Sequence, residues 1–240
     1  MFFDLKALTA ALLLATAAFG AAVEFPGSLQ KRAQPKGIDV SAYQPNVDWT
    51  AVHSSGVTFA YIKATEGTTY KSPAFNAQYE GATKAGLIRG AYHFARPDSS
   101  SGAVQAEYFA KNGGGWSGDG ITLPGALDME YGPDGDSCYG LSASAMVNWI
   151  RDFSNTYHAQ VKRYPVIYTS TSWWQLCTGN NGGFGTDNPL WIARYASSPG
   201  TLPAGWKYHT FWQYSDKSSN PGDPDVFNGD EAGLKRLASG

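Results

Sequence analysis

Residues 123–131 read LPGALDMEY, an apolar run that ends in two acids one residue apart and is followed at once by the turn residues Gly132 and Pro133. Read as a strand, the segment turns alternate side chains to one side, so the carboxylates of Asp128 and Glu130 face the same way with Cβ atoms about 6 to 7 Å apart. At about 6 Å and an effective dielectric of about 20, two such charges repel by on the order of 3 kcal/mol. That is enough to keep one acid protonated near neutral pH while the other is ionised, the state that acid-assisted bond cleavage requires. The competing reading of these residues is a solvated strand end beside a turn.

The flanking sequence decides between them. From Lys36 onward short apolar runs alternate with amphipathic or polar segments, the pattern of a mainly parallel α/β sheet. The candidate strands are GIDVS, TFAYIKAT, LIRGAYHFA, PGALDMEY, YPVIYTS, LWIARY and HTFWQYS, with a weak last one at DVF. Helices are expected over residues 72–86, with Ser72 as N-cap and Pro73 in the first turn, over 101–112, and over 142–158, where Met146, Trp149, Ile150, Phe153 and Tyr157 form one apolar stripe. About eight strands with intervening helices predict a single-domain (β/α)-barrel, TIM-like but irregular, with helices missing where connections are short, as between LWIARY and HTFWQYS. Barrel sites lie at the C-terminal strand ends, and the acids are there: Asp39 near the end of the first strand, Glu66 after the second, Asp128 and Glu130 closing the fourth, Asp223 and Asp225 by the last. Strand ends gather around one axis, so these acids should converge on one bowl.

The 240 residues hold 28 Gly, 13 Pro and only 16% charged side chains, which suits a compact body with a large core. Residues 1–22 have the form of a secretory signal peptide, with Lys6 in a short first region and an apolar run from about Ala7 to Phe19 that is short for a membrane span. Residues 23–32 end in Lys31-Arg32, read as a propeptide cleavage site, so that the mature catalytic domain is 33–240; an unprocessed surface dibasic pair is the alternative. Removing residues 1–32 takes away three bases and two acids, and the formal charge moves from −2 to −3. Phosphate binding needs clustered Lys and Arg, so nucleic acid is not an expected partner, and no attraction to an anionic membrane surface can rest on net charge. Cys138 and Cys177 are the only cysteines, and in a secreted chain they are expected to pair. Two thiols and the scattered His53, His93, His158 and His209 show no metal-ligand spacing, so neither metal nor other cofactor is expected, and the histidines read as structural or surface residues.

The same strand ends are rich in rings: Tyr43, Tyr92, Phe94, Tyr131, Tyr168, Trp173, Trp174, Tyr195, Trp212 and Tyr214. Rings at the rim of an acidic bowl can stack on the apolar faces of sugars. Acid pair, aromatic rim and secretion together point to glycoside hydrolysis, in which one carboxyl donates to the leaving oxygen and an anion stabilises an oxocarbenium-like centre. A serine hydrolase is disfavoured, because no G-x-S-x-G elbow occurs.

GIDVSAYQP (37–45), YIKATEG (61–67), RGAYHFA (89–95), ALDMEY (126–131), PVIYTS and FWQYS resemble glycoside hydrolase family 25, the Chalaropsis-type lysozymes, and most of all its secreted fungal members. The resemblance spans almost all of 36–240. It implies a flattened, incomplete (β/α)-barrel and a β-1,4-N-acetylmuramidase that cuts peptidoglycan between N-acetylmuramic acid and N-acetylglucosamine with retention, acting as a monomer on bacterial wall. By the same resemblance Glu130 is the proton donor, Asp128 the stabilising anion or direct nucleophile, and Asp39 a charged wall of the bowl. The C-terminal acid is Asp223, with Asp225 competing and Pro224 able to shift the backbone between them. Lys63 and Glu66 either support the site or form a structural ion pair. Tyr92 is the ring expected against the reacting sugar, with Tyr168 and Trp212 as further substrate contacts. Two rivals stand beside this reading. A chitinase of the D-x-x-D-x-D-x-E kind lacks its first acids in GALDME, and a non-catalytic wall-binding lectin is disfavoured by the presence of both Asp128 and Glu130.

Overall fold

The computed structural model describes residues 33–132 and 135–240. The expected signal and propeptide segments lie outside the described residues. Eight strands close into a barrel: β1 (Lys36–Val40), β2 (Val57–Glu66), β4 (Ile88–Phe94), β5 (Ala126–Asp128), β6 (Val166–Thr169), β7 (Leu190–Ala193), β8 (Phe211–Gln213) and β9 (Asp223–Phe227) hydrogen-bond in that order, and β9 returns to β1. A two-residue β3 (Tyr70–Lys71) hangs on the end of β2. The helices are α1 (Trp49–Ser54), α2 (Phe75–Lys84), α3 (Gly102–Lys111), α4 (Ala143–Val161), α5 (Thr171–Thr178) and α6 (Glu231–Ser239). No helix separates β7 from β8, as expected, and none separates β8 from β9. None of the described helices is long and apolar enough to cross a membrane.

The sheet departs from the expectation of parallel strands in one place. The last strand, β9, runs antiparallel to both β8 and β1, whereas the other barrel pairings are parallel. Without a crossover helix the chain turns straight back from β8, and a direct return can only pair antiparallel. The consequence for the site is topological: β9 presents its first residue, Asp223, at the rim where the other strands present their last. Gly222 makes that turn at φ +78, and a Cβ there would lie 2.0 Å from the Asp39 carbonyl oxygen, so the approach of β9 to β1 requires glycine. Pro224 does not displace the strand. The register runs unbroken from Asp39 opposite Asp223 to Lys36 opposite Val226, and the Pro224 carbonyl accepts from Tyr214 N at 3.2 Å.

The lower barrel is plugged by rings. Phe59 packs on Phe211 at 5.2 Å between centroids, Phe211 on Phe227 at 5.4 Å, and Tyr61 stacks on Trp191 at 4.8 Å. A second apolar layer lies between the barrel and α3, α4 and α5, where the stripe Met146, Trp149, Ile150, Phe153 and Tyr157 is buried as its spacing predicted. Ser101 and Ser142 cap α3 and α4, accepting from Val104 N and Ala145 N. Ser72 is not a cap: α2 starts at Phe75 after a turn through Pro73, and its N-cap position, Ala74, has no side-chain bond to give.

Candidate active site

β5 ends at Asp128, but its alternation continues one pleat further. Met129 turns outward into the helix layer at 0% exposure, its N–H donating to Tyr168 O at 2.9 Å, and Glu130 faces inward beside Asp128. The two carboxyls line the same cavity and act on each other's ionisation. Both are held above the ordinary carboxylate range, and burial is the first cause for each; for Asp128 the charge of Glu130 comes second. Spacing in the sequence alone would rank like-charge repulsion first. In the folded chain the loss of water outweighs it, because Asp128 is only 6% exposed.

These acids open into a cavity of about 290 Å³ at the C-terminal rim of the parallel strands, where Asp39 and Asp223 complete a ring of four. Asp39 is pushed up to about 7, first by burial, with the hydrogen bond from Gln213 pulling it back. Asp223 is also raised, by burial and then by the charge of Asp216. Asp225, the competitor for the fourth position, is one pleat deeper, fully enclosed, and accepts from Trp191 Nε1 at 2.8 Å.

One cation faces the ring. Lys63, on β2, lines the cavity and lowers both Asp128 and Glu130 by its charge. Its ammonium is 2.7 Å from Glu66 Oε2 and lies over the Phe94 ring at 4.6 Å. Glu66 is itself outside the cavity lining, held between Lys63 and Arg96, 3.6 Å away. The ion pair and the place of Lys63 in the cavity are therefore one feature: Glu66 fixes the lysine that faces the acids.

The rings divide into two sets. Tyr92, Phe94, Tyr168 and Tyr195 line the cavity, with Tyr43 at its mouth 91% exposed. The loop that carries Tyr43 is pinned at its base by Gln78 of α2, whose amide donates to Ser41 O and Gln44 O at 2.8 Å. Trp212 is not among the lining residues. Strand alternation places Gln213 inward and turns Trp212 out, where its indole N–H donates to Arg194 O at 2.9 Å. Trp173 and Trp174, expected at the rim, are fully buried in α5, donating to Ser137 O and Asn181 O. The cap that starts α5, Ser170 accepting from Trp173 N at 3.1 Å, is a signal the sequence carried.

Two site residues escaped the sequence reading. Gln213 donates to Asp39 Oδ2 at 2.7 Å, and its Oε1 accepts from Tyr168 OH at 2.8 Å and Tyr195 OH at 3.1 Å. Trp191 forms the cavity floor, edge-on to Tyr168 at 4.8 Å. A lone Gln in an apolar strand is the clue for Gln213. Trp191 carries no such clue, because nothing separates it from a core ring until the barrel is closed. Away from the site, Cys138 and Cys177 are bonded, tying the segment after Glu130 to α5.

A barrel whose open end is a ring of carboxyls held above their ordinary range and walled by aromatic side chains has the chemistry of an enzyme that cleaves bonds between sugars, a glycoside hydrolase. Comparison with known sequences gives the family: the model of Glycosyl hydrolases family 25 matches residues 38–223, and the chain belongs to that family. It is 56% identical over 231 residues, 95% of this chain and 98% of the relative, to an N,O-diacetylmuramidase of Arthroderma benhamiae, and 53% identical over 209 residues, 85% and 99% of the two chains, to one of Chalaropsis sp. Among solved structures, a muramidase from Acremonium alcalophilum superposes with a TM-score of 0.85 at 62% identity, covering 86% of this chain and 99% of that one.

Proposed function

We propose that this chain is a secreted lysozyme, a β-1,4-N-acetylmuramidase that hydrolyses peptidoglycan between N-acetylmuramic acid and N-acetylglucosamine, with Glu130 as general acid and Asp128 as its partner. The observation that carries the reading is that Asp128 and Glu130 face one ring-walled cavity together with Asp39 and Asp223, and both are held above the ordinary carboxylate range by burial. An inverting pair needs carboxyls about 6.5 to 9.5 Å apart to admit water between them. We take the reaction to proceed with retention, Asp128 stabilising a charge that builds on the substrate's own 2-acetamido group or attacking the anomeric carbon itself.

Binding of such a sugar also supplies the step that sets the roles. In the free site burial favours the proton on Asp128, the more enclosed of the two. An acetamido N–H donating to Asp128 favours its anion, and the shared proton passes to Glu130, beside the leaving oxygen. Lys63 balances the remaining charge. Asp39 and Asp223 line the opposite wall, and Tyr92 and Tyr168 offer faces to the sugar. The two curated relatives bear the name N,O-diacetylmuramidase, and we extend it to this chain: muramic acid carrying an O-acetyl group is accepted. The enzyme acts as a monomer on wall polymer, after removal of residues 1–32.

Mass spectrometry of fragments from purified peptidoglycan, plain and O-acetylated, tests this. Fragments ending in reducing muramic acid are expected from both, with no release from chitin. Reducing N-acetylglucosamine ends, or binding without cleavage, would overturn the assignment. The intact mass of the secreted protein checks that it begins at Ala33.

A further inference from the structure

The deepest acid of the bowl has no role in the chemistry proposed for Asp128 and Glu130. Asp225 sits on β9 between β1 and β8, opposite Gly37 on one side and Gln213 on the other, and is 0% exposed. Its Oδ1 accepts from Trp191 Nε1 at 2.8 Å, while no N–H or hydroxyl reaches Oδ2. The charge that acts on it most is another acid, Asp39, two residues along β1 from the Gly37 that it pairs with and so on the same face of that strand. Asp39 is differently placed. It opens on the cavity, and its Oδ2 accepts from Gln213 Nε2 at 2.7 Å, an amide oriented in turn by the hydroxyls of Tyr168 and Tyr195.

Two carboxylates in contact inside a barrel cannot both be ionised, and a buried polar oxygen without a partner is costly. A single proton between them removes both problems, turning the repulsion into a hydrogen bond. It belongs on the acid with less access to water. The charged groups facing the pair are Asp223 on β9 and, from the β5 side, Asp128 and Glu130, all acids; Lys63, which shares the cavity, acts on Asp128 and Glu130 and is itself held by Glu66, so it does not favour a second anion here. We propose that Asp225 is a neutral carboxylic acid in the working enzyme and acts as a positioning residue, its hydroxyl donating to Asp39 and holding Asp39 as an anion aimed into the cavity. Asp225 is held well above the carboxylate range, first by burial and then by the charge of Asp39; Asp39 is raised as well, by burial first, to about 7, with Gln213 and Asp225 pulling it back. The proposal rests on the reading of this bowl as the active site.

An amide can take over from a protonated acid but not from an anion. In Asp225→Asn the Nδ2 can donate to Asp39 and Oδ1 can accept from Trp191, so turnover on peptidoglycan is expected within about threefold of wild type, with the acidic limb of the pH profile in place. Asp225→Ala removes the donor and is expected to lose about tenfold or more, with the acidic limb moved to higher pH because the Asp39 anion has lost a stabilising bond. Infrared difference spectra between wild type and Asp225→Asn at neutral pH should show the carbonyl stretch of a protonated carboxylic acid lost in the variant. A folded Asp225→Asn protein slowed a hundredfold, or a difference spectrum that loses a carboxylate band instead, would overturn the proposal. Should Asp225→Ala fail to fold, the Asn variant and the infrared band decide. The band does not depend on activity, so it tests the state of Asp225 even if full activity in Glu130→Gln were to dismiss the reading of the site.

Discussion

Asp128 and Glu130 turn their carboxyls into the same cavity from successive inward positions, and no N–H or hydroxyl reaches Asp128 Oδ1. A second acid pair, Asp39 with Asp225, sits across the cavity. All four are held above the ordinary carboxylate range, so on the proposed reading the chemistry of the bowl depends on which member of each pair holds a proton.

Glu130→Gln is expected to fold normally, bind wall and lose at least about a hundredfold in rate, since an amide matches the acid in shape but has no proton to donate. Turbidity clearing of bacterial wall alongside a pull-down on the same wall checks both halves. Turnover at the wild-type level would dismiss Glu130 as the donor.

Asp128→Asn is expected to be severe as well, and its residual activity carries more information than its size. With the anion gone from the substrate complex, Glu130 loses the like charge that helped keep it protonated, and its pKa falls. The alkaline limb of the pH profile should then move to lower pH. A limb that stays in place in a measurably active variant would mean that Asp128 does not act on Glu130 through charge.

How far the sequence reached depended on whether a feature was local. The strand alternation across LDMEY turns both acids to one side, as the structure has them, because Met129 between them is a core residue. The stripe of α4 was equally legible, since it recurs within one helix. The direction of β9 was not, because it follows from the missing helix after β8 and from Gly222 against Asp39, a contact between residues 183 positions apart. The choice between Asp223 and Asp225 needed that direction: an antiparallel strand brings its first acid to the rim and sends the next one below. Rings were the hardest to sort, since Trp174 in the core and Tyr195 at the cavity differ only in what surrounds them after folding.

His93 gives a pH signature outside the site. It is fully buried, with Nδ1 2.8 Å from Thr65 Oγ1 and Nε2 2.9 Å from Gln105 Oε1, and burial lowers its pKa to about 4. Because the folded-state value lies below the unfolded one of about 6.5, the neutral ring's contribution is fully present above pH 6.5 and is lost as pH falls toward 4, a change on the order of 3 kcal/mol. Denaturant unfolding of wild type and His93→Gln at pH 7, 5.5 and 4 checks this. The variant's stability should depend less on pH across that window, and parallel curves would show that His93 does not titrate there.

Reduction of Cys138–Cys177, which spans a sequence separation of 39, is expected to cost about 4 kcal/mol on the chain-entropy account. Chemical denaturation of Cys138→Ser/Cys177→Ser measures it. A midpoint unchanged from wild type would mean that the loop is held by its other bonds, among them Tyr139 OH donating to Glu130 O at 3.1 Å.

The last prediction sets stability against activity at one residue. Asp39 is pushed up to about 7 in the folded chain, by burial first and then by its acidic neighbours, against an unfolded value of 3.8. A raised acid contributes stability that is present below the unfolded pKa and is lost as pH rises through the folded one, so the site works against folding most strongly above pH 7. In Asp39→Asn the amide oxygen can still accept from Gln213 and no charge has to be buried. The variant should therefore melt higher than wild type at pH 8, by about 3 °C or more if roughly 1 kcal/mol is recovered, and the two should converge as pH falls toward 4. The same substitution should cut the rate of wall cleavage by about a hundredfold, because the anion facing the sugar is gone. Calorimetry at pH 4, 6 and 8 with parallel activity measurements decides it, and a melting temperature that falls at pH 8 would show that the Asp39 carboxylate supports the fold rather than straining it.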